Sequence, residues 1–384
     1  MTSPSSQPTI HRIGIIGGGQ LAWMLAPALE RLNLELVVQT PQATDPAATI
    51  AHHTILAPIN DAQATATLAQ ECDVITFENE FVDLAALSQL AHQGVTFRPR
   101  LDALQPLLDK YHQRQFFRQN NLPTPDFRSP ALDKPPTFPA VLKTRRMGYD
   151  GQGTFIVKTL AEYRAIVDRI GAENLLWEEF VPFERELAVM AARSSDGQVV
   201  VYPIVETAQQ DQVCRWVVAP ADVPAIATRM IEPIAQTILT RLDVVGIFGI
   251  ELFITANHEV WINEIAPRTH NSGHYSLDAC ITSQFEQQLR AISGLPLGDP
   301  SLNCAGAVMV NLLGFEAATQ DYISQRTQLA TIPNAHVHWY GKTASRPGRK
   351  LGHVTVRLFG DDWRSQTQRT IAQIEQIWYP DPLD

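Results

Sequence analysis

The stretch "WINEIAPRTHNSGHYSLDACITSQFEQQLRA", Trp261–Ala291, begins as a strand and ends as an amphipathic helix. Between the two, Asn263, Glu264, Arg268, His270, Asn271, Ser272 and His274 crowd around Pro267 and Gly273. A solvated surface loop explains this poorly, because the loop is short, has buried-looking flanks and lacks lysine. Just upstream, "GIFGIELFI" (246–254) is a second strand, with a short turn around Asn257. Antiparallel pairing of the two would bring Glu251 and Glu264 to one face. Two buried acids are costly without a cation. Together with Asn263 they are oxygen donors suited to Mg²⁺ held between protein and phosphates. Arg268, His270, Asn271 and Ser272 then offer donors to an anionic substrate beside that metal.

Upstream again, "VLKTRRMGYDGQGTFIVK" (141–158) ends one strand at Lys143, turns through Gly148, Gly151 and Gly153, and enters another. No helix follows and no Gly-Lys-Ser/Thr occurs, so this is not a Walker loop. A glycine-rich hairpin can instead close over nucleotide phosphates while a strand lysine neutralises them. The cluster of Lys143, Arg145 and Arg146 favours phosphate over an ordinary long hairpin. "LLWEEFVPFERELAV" (175–189) places Glu178 and Glu179 before an apolar link, Phe180–Val181, and Glu186 at the start of the next strand. A linker peptide of this kind can pair with an adenine edge and a following carboxylate can hold ribose hydroxyls. A surface hairpin explains the segment equally well.

Near the start, "IGIIGGGQLAWMLAPALERLNLELVVQ" (13–39) reads as strand, glycine turn, helix, strand. Further short strands near "HTILAP" and "DVITFE" alternate with helical segments, the pattern of a parallel sheet with covering helices. Gly17-x-Gly19-x-x-Ala22 could cradle a phosphate or could simply be a tight turn. The second strand ends at Val38, Gln39 and Thr40 without an acid, which disfavours a nicotinamide dinucleotide. Gln20 stands at the mouth of the turn, and Glu78 and Glu80 follow a buried strand where ligand crevices form. At the other end, "WYGKTASRPGRKLGHV" (339–354) carries Lys342, Arg346, Arg349 and Lys350, a phosphate site or a solvated turn.

Between these landmarks, "LDALQPLLDKYHQRQFFRQNN" (101–121) reads as one helical segment, and a long helix runs from about Pro224 to Leu242. The 384 residues are 45% hydrophobic and 18% charged, enough for two or three globular domains. A net charge of −10 argues against a general nucleic-acid partner. Cys72, Cys214, Cys280 and Cys304 are scattered, which points to reduced thiols in a cytoplasmic protein rather than a zinc or disulfide framework. No apolar run is long enough to span a membrane.

Taken together, these segments resemble the ATP-grasp superfamily, and within it the N5-carboxyaminoimidazole ribonucleotide synthase family. The similarity runs from about Ile13 to His353. Its most specific pieces are "GIIGGGQLAWML", "VLKTRRMGYDGQG", "NEIAPRTHNSGHYSLDACITSQFEQQLRA" and "YGKTASRPGRKLGHV". The resemblance implies an α/β and α+β chain in three parts. These are an N-terminal Rossmann-like parallel sheet (1–100), a two-lobed ATP-grasp unit (101–295) and a small C-terminal β-rich domain (296–384). It also implies a homodimer. The family reaction consumes ATP, bicarbonate and 5-aminoimidazole ribonucleotide, with Mg²⁺.

The resemblance further implies residue roles. Lys110, Lys143 and the loop Gly148, Tyr149, Asp150, Gly151, Gln152, Gly153 and Thr154 would hold ATP phosphates. Glu178, Glu179, Phe180 and Val181 would hold adenine, with Glu186 on the ribose and Gln209 a further ATP contact. Glu251, Asn263 and Glu264 would hold Mg²⁺ and the γ-phosphate. Tyr149, Asp150, Arg268 and His270 would surround the carboxylating centre. Gln20, Glu78, Asn271, Ser272, Lys342 and Arg349 would bind the aminoimidazole nucleotide. Three positions depart from the pattern: Lys110 where members often carry Arg, Gln209 where they often carry His, and Met147 where glycine is common. The nearest alternative is a formate-using ATP-grasp ligase, which would lack the "HNSGH" and "GRK" pair.

Overall fold

The structure, a computed structural model, describes residues 10–146, 153–342 and 344–379. Its first unit is a four-stranded parallel sheet of β1 (Arg12–Ile16), β2 (Glu35–Thr40), β3 (His53–Leu56) and β4 (Val74–Phe77), ordered β3-β2-β1-β4. Helices cover both faces, so Ile13, Ile16, Val37 and Val74 are buried in near-continuous apolar runs, as parallel strands require. Asp61 and Asp83 cap the helices Ala62–Glu71 and Leu84–His92, each accepting from two backbone amides.

The single helix expected over 101–121 is broken into Leu101–Leu104 and Lys110–Gln119. Pro106 cannot continue the first, and the Asp109 carboxylate caps the second by accepting from the Tyr111 and His112 amides. The restart fixes which face Lys110 and Arg114 share.

A small antiparallel sheet follows, of β5 (Phe127–Arg128), β6 (Ala140–Thr144), β7 (Thr154–Val157) and β8 (Leu175–Glu179), ordered β5-β8-β6-β7. The remaining strands are β9 (Phe183–Arg193), β10 (Val199–Val201), β11 (Val205–Gln210), β12 (Val213–Ala219), β13 (Gly246–Thr255), β14 (Val260–Ala266), β15 (Gly306–Leu313), β16 (Ala335–Trp339) and β17 (Lys350–Leu358). All nine form one sheet, ordered β14-β13-β9-β11-β12-β15-β17-β16 with β10 beside β9. The C-terminal strands therefore continue the central sheet through the β12–β15 pairing, Trp216 to Ala219 against Val310 to Ala307. The helix Ala225–Leu242 buries Ile231, Ile234, Ile238 and Leu239 against one part of this sheet, and Trp363–Trp378 covers another. Among the described residues no helix is long and apolar enough to cross a membrane.

The helix Gln284–Ser293, amphipathic in sequence, is buried on nearly every side. Phe285, Leu289 and Ile292 join the N-terminal core around Ile13 and Leu29. Its polar side chains bind inside the protein instead of facing water. Gln288 Oε1 accepts from the Ile247 amide at 2.7 Å, and its Nε2 donates to Thr76 Oγ1 at 3.0 Å. One side chain thus joins β13 to β4, the central sheet to the N-terminal one. Gln288→Leu should orphan both partners and, at about 1–3 kcal/mol for a buried polar group left without a partner, lower the urea unfolding midpoint. An unchanged midpoint in equilibrium unfolding would show that this bridge does not hold the two sheets together.

Candidate active site

Glu251 and Glu264 stand directly opposite each other on β13 and β14. The register shifts just beyond, between Glu251 and Leu252, so Asn263 is an extra residue on β14. This bulge leaves Asn263 and Glu264, consecutive in the chain, both half-buried, with Asn263 bonded to Glu251 and Glu264 opposite it. Asn263 donates from Nδ2 to Glu251 Oε2 at 3.1 Å, and its Oδ1 accepts from Lys143 Nζ at 2.9 Å. Lys110 pairs with Glu264, and His270 Nε2 lies 3.3 Å from Glu251 Oε1. Burial, with Glu264 beside it, pushes the Glu251 carboxyl up to about 7.

Beneath this pair lies an ion network that the sequence did not reveal. Glu178 receives Arg114 Nε at 2.6 Å and Lys143 Nζ at 2.8 Å, with all three side chains below a tenth exposed. The two remaining nitrogens of Arg114 donate to the Ile262 and Asn263 carbonyls, each at 2.8 Å. Arg114 therefore fixes the bulge that presents Asn263 and Glu264. Although burial opposes ionisation, the two cations hold the Glu178 carboxyl down at about 2. Arg114's spacing of four from Lys110 was the available signal, since i and i+4 share a helix face. The Glu178 side chain is spent on this network, so any adenine contact from the segment falls to other atoms of Glu178, Glu179, Phe180 and Val181.

Glu186 sits on β9 with the Gln209 side chain hydrogen-bonded to it, and burial raises its carboxyl above the usual range. Nearby, Phe183 and Phe253 stack at 4.4 Å, an apolar wall two residues past Glu251. Thr154 pairs with Lys143 across β6–β7, and Gly153, at φ +86°, accepts from the Thr144 amide. Gly148, Tyr149, Asp150, Gly151 and Gln152, with Met147, lie outside the described residues.

A second group of residues lines the seam with the N-terminal sheet. The Gly17–Gly19 turn is filled by Glu78, which accepts from the Gly19 and Leu21 amides at 2.8 and 3.2 Å. A Cβ at Gly17 would lie 2.7 Å from Glu78, so the glycines serve this close approach. Of the two readings of that turn, a phosphate cradle or a tight turn, this close packing favours the tight turn, with the Gly19 and Leu21 amides taken by a carboxylate. Lys342, 322 residues away in sequence, donates to Gln20 Oε1 at 2.7 Å. Arg268 pairs with Glu80 at 2.7 Å, a partnership that sequence spacing could not supply. His270 caps the turn Asn271–Gly273, with Nδ1 2.8 Å from Ser272 Oγ.

Two expected substrate contacts are otherwise engaged. Asn271 exchanges both amide bonds with Asn311 on β15, at 2.9 and 2.7 Å, and is buried. Arg349 donates to the Ala344 carbonyl, which closes its own turn.

Comparisons with known proteins match three successive stretches of the chain. A ribonucleotide synthetase preATP-grasp domain model matches residues 10–106, an ATP-grasp domain model 115–285, and a phosphoribosylaminoimidazole carboxylase C-terminal domain model 307–368. The N5-carboxyaminoimidazole ribonucleotide synthase of Synechococcus elongatus is 55% identical over 97% of this chain and 96% of its own. That of a Synechocystis strain is 52% identical over 96% and 98%. The N5-carboxyaminoimidazole synthase of Aspergillus clavatus, solved in complex with ADP and 5-aminoimidazole ribonucleotide, superposes with a TM-score of 0.86 at 30% identity, covering 95% of this chain and 99% of that one. On this sequence identity and this shared architecture, the chain belongs to the N5-carboxyaminoimidazole ribonucleotide synthase family of ATP-dependent ATP-grasp ligases.

Proposed function

We propose that this ligase, which carboxylates 5-aminoimidazole ribonucleotide at the expense of ATP in purine biosynthesis, takes its carbon from bicarbonate and passes through carboxyphosphate. The observation that carries this reading is the opposed pair Glu251/Glu264, ringed by Lys110, Lys143 and His270. Such a ring of both signs suits a polyanion that arrives with a cation. Glu251 at about 7 is a carboxyl held partly neutral by burial and by Glu264 beside it, a site where a cation would favour the charged form. Glu251 and Glu264, with the Asn263 oxygen, fit Mg²⁺ by donor type. When bound, Mg²⁺ would neutralise phosphate charge as the γ-phosphoryl is transferred.

The chain's own residues account for the rest. Lys143, desolvated and held by Glu178 and Asn263, offers a fixed positive charge to the phosphates. A bicarbonate oxygen attacks the γ-phosphorus, the bond to the β-phosphate oxygen breaks, and ADP leaves. The exocyclic amine of the nucleotide then bonds to the carboxyl carbon, inorganic phosphate departs, and the nitrogen loses a proton. His270 and Arg268 line the side where these carboxyl groups would lie. Asp150 and Tyr149 complete that centre by family resemblance. Gln20, Glu78, Ser272 and Lys342 at the seam would receive the nucleotide. Lys110, Glu186 and Gln209 would serve ATP. The reading includes a cytoplasmic homodimer.

Three measurements test this reading. ADP release in bicarbonate buffer should depend on 5-aminoimidazole ribonucleotide and be matched by incorporation of labelled bicarbonate. Formate supporting turnover in place of bicarbonate would overturn it. Glu264→Gln should cost about a hundredfold or more in turnover, several kcal/mol of phosphoryl-transfer stabilisation, with the fold intact by circular dichroism. Near-normal Mg²⁺-dependent turnover in that variant would remove the metal assignment. The third measurement follows from Glu251, whose folded-state affinity for a proton exceeds that of the unfolded chain. Its contribution to stability is complete in acid and lost as pH rises through about 7. Nucleotide-free, metal-free protein should therefore melt lower at about pH 8 than at about pH 6, and Glu251→Gln should flatten that decline.

A further inference from the structure

The strand β16 reads "AHVHW", which places His336 and His338 two residues apart on one face. On the adjacent β17, His353 is the direct cross-strand partner of His338, and the rings stack at 4.5 Å. Asp278, from the short helix Ser276–Ala279, reaches the same face. Its Oδ2 lies 2.9 Å from His338 Nε2, and its Oδ1 lies 3.4 Å from His336 Nδ1. One ring nitrogen of His338, one of His353 and one oxygen of Asp278 all lie within 4.8 Å of one another.

A His338–Asp278 pair alone would account for two of these groups but not for His353. That ring is fully buried, and its Nδ1 is engaged by the Tyr340 hydroxyl at 2.7 Å. Its Nε2 has no hydrogen-bond partner among the described residues. Buried polar atoms are rarely left so. A ligating histidine has this arrangement, with one nitrogen held by an oxygen and the other free for an ion. Burial also keeps His353 neutral, the form that binds metal.

We propose that Asp278, His338 and His353, with His336 on the solvent side, form a binding site for a divalent transition-metal ion of the zinc class. Imidazole and carboxylate are its preferred donors. At metal–ligand bonds near 2.1 Å, tetrahedral donors stand about 3.4 Å apart, so the Asp278–His338 pair, at 2.9 Å, is within about half an ångström of ligating spacing. His336, with its side chain 38% exposed, is the side from which an ion enters. The site is separate from the Glu251/Glu264 pair. It joins the segment after the His270–Gly273 turn to the β16–β17 hairpin, whose connection carries Lys342. A bound ion would clip together two walls of the seam.

The test uses the full chain, stripped with a chelator and titrated with Zn²⁺ against a chromophoric indicator, then with Co²⁺. The expected result is one equivalent per chain and a higher melting temperature. Co²⁺ should give visible bands of a four-coordinate nitrogen–oxygen site with no thiolate charge-transfer band. His338→Gln should weaken Zn²⁺ binding by about a hundredfold or more, and His336→Gln by about tenfold. Cys280→Ser, two residues from Asp278, should leave it unchanged. If His338→Gln does not fold, Asp278→Asn, which preserves shape, should show the same weakening. The proposal is overturned by the absence of a stoichiometric site, by wild-type affinity in the folded His338 or Asp278 variant, or by a thiolate band that disappears in Cys280→Ser.

Discussion

The candidate active site depends on one buried carboxylate shared by two cations. Glu178 on β8 holds Lys143 on β6 and Arg114 on the helix Lys110–Gln119, and Arg114 passes the constraint to the carbonyls of β14. Three elements of different origin are locked to one charge. Removing the anion would leave two desolvated cations, and breaking such a buried network costs about 3–5 kcal/mol. An apolar replacement could match it in stability, but would not deliver a lysine ammonium and the side chains of Asn263 and Glu264 to the same place.

The same economy of charge runs along the seam. Glu78 holds the Gly19 and Leu21 amides, Glu80 holds Arg268, and Gln20 holds Lys342. Polar groups that would be costly if left alone are paired across elements instead, so each candidate ligand-binding residue has a fixed starting geometry. Preorganisation of this kind lowers the reorganisation needed when an anionic substrate replaces a protein partner.

Much of the fold was legible because its local signals agree. Apolar strands around Ile13, Val37 and Val74 alternate with helices, and Glu251 and Glu264 are spaced for a tight antiparallel hairpin. The break at Pro106 and Asp109 was missed because apolar periodicity continued across it, although both residues are ordinary stop and start signals. The bulge at Asn263 was not legible at all. It depends on Arg114, nearly 150 residues earlier, and on no local propensity. Arg114 itself reads as a solvated helical arginine until tertiary structure buries it. The Asn271–Asn311 and Arg268–Glu80 pairs are likewise hidden, since spacing within one segment says nothing about what a distant strand presents.

The unbroken nine-stranded sheet has a consequence for how far this chain can be treated as a set of modules. Three domain models match it in succession along the sequence, but the stretch matched by the third is hydrogen-bonded to that matched by the second through the β12–β15 pairing. A chain ended between the two would expose β12 as a long open edge, with Trp216 and Val218 stripped of their covering strands and an unpaired row of backbone donors and acceptors. Such an edge recruits other strands. The C-terminal segment is therefore a protective closure for the central sheet. Exchanging it between relatives requires the β12–β15 contact surface to travel with it.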